Sequence, residues 1–282
     1  MKRGYVVSEW GQVHYRTAGS SGPSIVILHE SPLSSKIFEP TVEILGASAK
    51  VWAFDTPGYG LSDPPQAPPE ITDYARVLLG AVDALGIDSF AVIGSHTGVS
   101  IALEMLERSG AERITHMILT GIPLFTDQQR AAYLANHAPD IELRSDGHHL
   151  LWSWDRYHSR TPVRDSVETE PAAAEPAVSA DLDFVNLLAC HIIENHRRFN
   201  WGYRAAFRHD VRPGLRKLRR PALILNSDLD TLAHLDEEAF EIIPKASVVR
   251  LGGVGGRPYW LAPERYAGAV LSFLLGHDAG QV

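Results

Sequence analysis

Residues 89–98 read SFAVIGSHTG, and the fold turns on this stretch. Its start, Phe90-Ala91-Val92-Ile93, has the apolar, partly β-branched make-up of a buried strand, and the residues after Gly98 carry helical spacing. The join between them is Gly94-Ser95-His96-Thr97-Gly98, with glycine two before and two after a central side chain. Such a frame permits a tight, strained strand-to-helix turn that holds its central residue above the edge of a sheet. The residue so held is His96, and Ser95 falls one position early.

Outward from this turn the chain alternates. Apolar runs at 24–30, 50–55, 89–95, 114–120, 221–227 and 246–252 read as strands, and amphipathic stretches at 73–86, 98–109, 235–243 and 263–275 read as helices. Strands of this kind, alternating with helices, predict a mostly parallel sheet covered on both faces. The alternation in Tyr5-Val6-Val7 and Val13-His14-Tyr15 predicts an antiparallel hairpin leading in. Between 123 and 215 there is no strand-like run, while Trp152, Trp154, Tyr157, Phe184, Phe199, Trp201, Tyr203 and Phe207 accumulate and 168–176 reads as a loop. The expected organisation is an α/β core of 1–122 and 216–282, carrying a helical cap, 123–215, inserted between two strands.

Composition bounds the function classes. The chain has 282 residues, 45% hydrophobic and 21% charged, as expected for a globular enzyme with a core too large to need disulfide staples. A single cysteine, Cys190, excludes an internal disulfide framework and a thiolate metal cluster. The net charge of −8 argues against nucleic acid and against an anionic membrane surface. Met1-Lys2-Arg3-Gly4-Tyr5 has no apolar run behind it, so no signal peptide is expected, and no stretch is long and apolar enough to span a bilayer. A cytoplasmic setting follows as the default expectation, with oligomeric state left open.

Several segments together resemble the α/β-hydrolase fold, in the capped branch that includes epoxide hydrolases, haloalkane dehalogenases, carbon–carbon bond hydrolases and esterases. They are the elbow itself, Leu28-His29-Glu30-Ser31-Pro32, Asp55-Thr56-Pro57-Gly58-Tyr59-Gly60-Leu61-Ser62-Asp63, PALILNSDLD at 221–230 and PYWLAPE at 258–264. The resemblance implies an eight-stranded sheet and a site built from a nucleophile at the elbow, a histidine near the last strand and an acid. Two departures matter. The nucleophile position is His96, and the position of the family's histidine, seven before Pro263, is Gly256. Asp230 stands where the family's carboxylate is expected.

A serine hydroxyl is a weak nucleophile without a base behind it, so the usual serine mechanism is not expected. An imidazole is longer than a hydroxymethyl group, and His96 is expected to reach over Gly256 to Asp230, forming a His–Asp dyad suited to general base chemistry near neutral pH. Backbone N–H groups of Ser31 and Thr97 are the expected oxyanion donors. Glu30, where the family carries a small residue, reads in several ways: protonated, a second acid or base, a partner for a cationic ligand group, or a loop carboxylate held by local N–H groups.

His234 is a second candidate base, or a solvent-facing helix-start residue. Trp152, Trp154, Tyr259 and Trp260 are candidate walls of an apolar pocket, or cap core. His29 and Asp55 read as structural, and Asp127 as a weaker candidate acid than Asp230. His158, His191, His196 and His209 lack a carboxylate at ligand spacing, so no metal is expected, nor any cofactor. Two functions stay open: an enzyme with hydrolytic or lyase-like acid/base chemistry on a small apolar or aromatic substrate, or a ligand-binding or regulatory protein that has lost catalysis. A histidine at the elbow is chemically capable, and a strained turn is of little use unless its residue matters, which favours the enzyme.

Overall fold

The sheet has eight strands: β1 (Lys2–Ser8), β2 (Gly11–Ala18), β3 (Ser24–Leu28), β4 (Lys50–Phe54), β5 (Phe90–Ser95), β6 (Ile114–Thr120), β7 (Ala222–Leu229) and β8 (Ala246–Gly255). Their spatial order is β1-β2-β4-β3-β5-β6-β7-β8. The leading hairpin is antiparallel, β2 pairs antiparallel with β4, and β4 through β8 run parallel, as the alternating sequence predicts. This computed structural model describes residues 1–109, 112–158 and 181–276, so the segment 168–176 read as a loop lies outside the described residues.

Helix α1 (Glu39–Leu45) lies between β3 and β4, α2 (Ile71–Ala84) between β4 and β5, and α3 (Thr97–Arg108) between β5 and β6. Between β6 and β7 the described residues form α4 (Asp127–Asn136), α5 (His148–His158), α6 (Leu182–Glu194), α7 (Trp201–Arg208) and α8 (Arg212–Lys217), and no strand. Helix α9 (Asp236–Ile242) joins β7 to β8, and α10 (Pro258–Leu261) and α11 (Pro263–Leu274) follow.

The central parallel strands β3 and β5 bury both faces, which is why they read as continuous apolar runs, whereas the edge strand β8 is largely exposed. On β3, Val26 and Leu28 enter the core layer beneath α2 and α3, while Ile25 and Ile27 enter the layer beneath α1 and α11. Strand β3 ends two residues earlier than its apolar run suggests. His29 leaves the ladder because its ring is used on both sides: Nδ1 donates to the Glu30 carbonyl at 2.8 Å, and Nε2 accepts the Thr56 N–H at 2.9 Å. That fixes the tautomer, and burial lowers its pKa, so His29 stays neutral and braces two loops, the structural role expected for it.

In open parallel sheets, functional side chains collect in loops beyond the carboxyl ends of the strands. Here that edge gathers Glu30 and Ser31 after β3, His96 after β5, Gly121 after β6, Asp230 after β7 and Arg257 after β8. The β6–β7 helices reach the same edge. Ser34 Oγ meets His191 Nε2 of α6 at 2.6 Å, and the Tyr59 hydroxyl accepts the Gly202 N–H of α7 at 2.7 Å while donating to the Arg198 carbonyl at 3.0 Å.

Candidate active site

The turn between β5 and α3 is tight enough to demand both its glycines. A Cβ on Gly98 would lie 2.2 Å from the Leu28 carbonyl oxygen, and one on Gly94 would lie 2.7 Å from the Gly98 carbonyl oxygen. His96 sits between them at φ 48°, ψ −108°, the one non-glycine residue with positive φ among those described. Such a conformation costs on the order of 1–3 kcal/mol and persists only where the surroundings over-determine it.

The strain sets the imidazole against the end of β7. His96 Nε2 lies 2.9 Å from Asp230 Oδ2, and 3.8 Å from Glu30 Oε2. Room for the ring comes from Gly121, at φ 64°, where a Cβ would stand 2.4 Å from His96 Nε2. Gly256 lies behind the carboxylate: a Cβ there would be 3.4 Å from Asp230 Cα and 3.7 Å from Oδ2. The other oxygen, Asp230 Oδ1, accepts the Leu232 N–H at 2.8 Å, so the carboxylate is anchored as well as paired.

Burial by itself would favour the neutral imidazole, but Asp230, and Glu30 beyond it, outweigh that and raise the His96 pKa to about 9. The same pairing lowers Asp230 despite its burial. A pKa above neutrality favours a proton donor at this position over the general base expected near neutral pH. Two carboxylates act on the ring rather than one, and both favour its imidazolium form.

The Glu30 side chain is held not by its own loop but by two distant residues. Arg257 Nε donates to its Oε1 at 2.8 Å and the Tyr259 hydroxyl donates to Oε2 at 2.9 Å. Burial opposes its charge, yet Arg257, His96 and Tyr259 together lower its pKa. Ser95 Oγ is fully buried under this cluster, 3.4 Å from both Glu30 Oε2 and the Tyr259 hydroxyl, long for O–H···O bonds. Its hydroxyl has no surface open to a substrate. The Ser31 N–H faces Thr97 Oγ1 at 3.4 Å, and the Thr97 N–H, in the first turn of α3, has no intrahelical partner, so both expected donors stand beside the elbow.

Of the aromatic candidates, only Tyr259 reaches this cluster; its ring is buried and stacks on Phe38 at 4.1 Å. Trp260 instead stacks on Phe184 of α6 at 4.9 Å, a seam between α10 and the inserted helices. Trp152 packs edge-on against Phe199 at 5.5 Å beneath the Arg156 guanidinium, and Trp154 stacks on His158 at 5.4 Å, so both consolidate the inserted helices. His234 is exposed and bonds the Thr231 carbonyl at 3.1 Å, away from the dyad, because the short turn carrying it faces solvent. Asp127 is exposed at the start of α4. Two residues escaped the sequence reading: Arg257, and Tyr157 of α5, whose ring lies 5.3 Å from the Arg257 guanidinium. The position of Arg257, one after the missing histidine, was the available signal. Among the described residues no three histidine, cysteine or carboxylate side chains are grouped to hold a metal ion, and no helix is long and apolar enough to cross a membrane.

A family model for the α/β hydrolase fold matches residues 23–255. The chain belongs to that family. A haloalkane dehalogenase of Mesorhizobium japonicum is 31% identical over 94 residues, 33% of this chain and 30% of that protein. The pimeloyl-(acyl-carrier protein) methyl ester esterase of Xanthomonas campestris pv. campestris is 25% identical over 265 residues, 90% of this chain and 95% of that protein. The chain spans only 30% to 39% of the length of the haloalkane dehalogenases it matches. Among solved structures, a thermophilic esterase from Thermogutta terrifontis superposes with a TM-score of 0.76 at 17% identity, covering 98% of this chain and 99% of that one, a likeness of fold. These relatives are a dehalogenase and an esterase by name, and the His96–Asp230 pair is read from the geometry of this chain alone.

Proposed function

We propose that this chain is a cofactor-free acid–base enzyme in which His96 is the proton donor and Asp230 its partner. It acts on a small organic molecule with an apolar part, by hydrolysis or by lyase-type cleavage, beneath a helical cap formed by 123–215. The observation that supports this reading is the 2.9 Å contact between a strained elbow histidine and a buried carboxylate. A substrate oxygen gaining negative charge beside His96 meets the imidazolium and the N–H groups of Ser31 and Thr97, fixed donors where charge develops. In the hydrolytic case the oxygen of a water bonds to the acyl carbon as the C–O bond breaks, the His96 proton passes to the leaving oxygen, a proton of that same water restores the imidazolium, and Asp230 stays ionised throughout. No acyl-serine forms, in keeping with the burial of Ser95.

A second reading, ligand binding without turnover, draws on the complete pairing of the cluster, in which each carboxylate already faces a cation. One experiment separates them. The protein is exposed to a serine-directed fluorophosphonate and assayed on a panel of small esters, lactones and 1,3-diketones. No labelling is expected, and His96→Gln should lower turnover of whichever compound is processed by about 10²–10⁴-fold. Labelling of Ser95, or full activity in His96→Gln, overturns the proposal; binding of panel compounds with no turnover favours the second reading.

A further inference from the structure

The four charged groups of the site are layered. The carboxylates lie behind, with Asp230 2% and Glu30 4% exposed by side chain. The cations lie in front, with His96 24% and Arg257 20% exposed. Each ion pair is therefore a dipole whose positive end faces outward, although the site as a whole is close to neutral. Coulomb energy falls as 1/r, so a ligand anion roughly 3 Å from a cation and roughly 6 Å from the carboxylate behind it keeps about half of the direct attraction. The inward carboxylates also hold their cations in place, so little side-chain ordering remains when a ligand arrives.

Arg257 is suited to such a role. Its guanidinium is fixed by Glu30 through Nε and lies over the Tyr157 ring at 5.3 Å, which leaves it planar, oriented and half-wrapped in apolar surface. Planar forks of this kind match carboxylates and enolates better than an ammonium does. The chain as a whole carries a net charge of −8, which opposes an anionic ligand, but a field of that kind is screened beyond roughly 8 Å at physiological salt and bears little on groups already inside the site.

We infer that the substrate of this site is a small organic acid, whose carboxylate or enolate oxygens are taken by Arg257 while His96 addresses the reacting oxygen. The inference rests on the proposed role of His96 and adds the substrate class to it. Arg257 is in this view the residue that determines specificity.

The test reads binding rather than turnover. Calorimetric titration with 3-phenylpropionate, its amide and its methyl ester compares one skeleton with and without the negative charge. The carboxylate should bind at least about tenfold tighter than either neutral form, the difference that one well-placed charged contact makes. Arg257→Gln takes the closest ion-pair partner from buried Glu30, so the folding-safe variant is the double exchange Glu30→Gln with Arg257→Gln, which removes both charges and keeps shape. It should bring the three affinities within about twofold of one another. Arg257→Lys, which keeps charge and loses the fork, should retain part of the preference. Equal affinities in the wild type, no measurable carboxylate binding at millimolar concentration, or an undiminished preference in the double variant each overturn the inference. None of these readouts involves turnover, so failure here is distinct from failure of the His96→Gln experiment.

Discussion

Two histidine–carboxylate pairs in this molecule have the same length and opposite characters. His14 Nδ1 of β2 meets Asp55 Oδ2, just after β4, at 2.9 Å, and His96 Nε2 meets Asp230 Oδ2 at 2.9 Å. Each has an arginine nearby: Arg16 Nη1 lies 3.5 Å from Asp55 Oδ1, and Arg257 lies across Glu30 from His96. The first pair is sealed, with both side chains wholly buried, and Asp55 accepts further hydrogen bonds from the Ser35 and Leu61 N–H groups at 2.8 Å. The second keeps a quarter of its imidazole exposed and stands on a backbone that no ordinary residue adopts. Distance does not distinguish a site from a brace. Openness and stored strain do.

Truncating each carboxylate breaks the comparison most sharply. Asp55→Ala leaves Arg16 and His14 buried around a lost partner and should destabilise by about 3–5 kcal/mol in a denaturant titration. Asp230→Ala leaves an imidazole that reaches water and releases its proton, and should cost only about 1–2 kcal/mol of stability. Turnover reverses the order. Asp230→Ala should lower it by about 10²–10⁴-fold, while folded Asp55→Ala keeps most of its activity. Equal stability losses, or equal activity losses, would mean that the two clusters do the same job.

Next in size is the space under the ring. Gly121→Ala places a methyl group where His96 Nε2 now lies and also strains a backbone at φ 64°. Gly86→Ala, at φ 67° with nothing within 4 Å of the added Cβ, has the backbone strain alone. Gly86→Ala should lose about 1–2 kcal/mol of stability, and Gly121→Ala at least as much. Only Gly121→Ala should also lose activity, by about tenfold or more, since an ångström of misplacement in a reacting group is enough. If Gly86→Ala impairs turnover as much, the packing of Gly121 against His96 has no catalytic meaning.

The difference between the pairs also explains what the sequence made legible. The elbow was readable because Gly94 and Gly98 answer a local demand, a close approach of α3 to β3 and of the turn to itself. Asp230 was readable because it follows a strand that resembles the one presenting the family's acid. The partners of Glu30 were not, because Arg257 and Tyr259 stand 227 and 229 residues away and nothing local requires them. Trp152, Trp154 and Trp260 invited a reading as pocket walls because large rings suit either role. Only packing decides, and it gave Trp152 and Trp154 to the inserted helices and Trp260 to the seam. Asp230 is the larger influence on the His96 pKa, and Glu30 adds to it from a second loop, a contribution no spacing in the chain reveals.

The most gradual effects come with pH, and they separate His96 from a second buried acid. A group whose pKa rises on folding stabilises the native state fully below its unfolded value and loses that contribution as pH climbs to its folded value. For His96 the window runs from 6.5 to about 9, so stability should decline there by up to about 1.4 kcal/mol per pH unit, and His96→Gln should flatten the decline. Asp236, at the start of α9, is raised by burial from 3.8 to about 7, although Asn226 Nδ2 donates to it at 3.2 Å. Its window therefore lies lower, between 3.8 and 7, and Asp236→Asn should remove that limb alone. Turnover should follow only the upper window: constant through neutral pH and falling tenfold per unit above about 9, as a proton donor loses its proton. A rate that instead rises through that range would make neutral His96 the working form, a base rather than an acid, and would reverse the direction of proton transfer at the elbow while leaving its geometry intact.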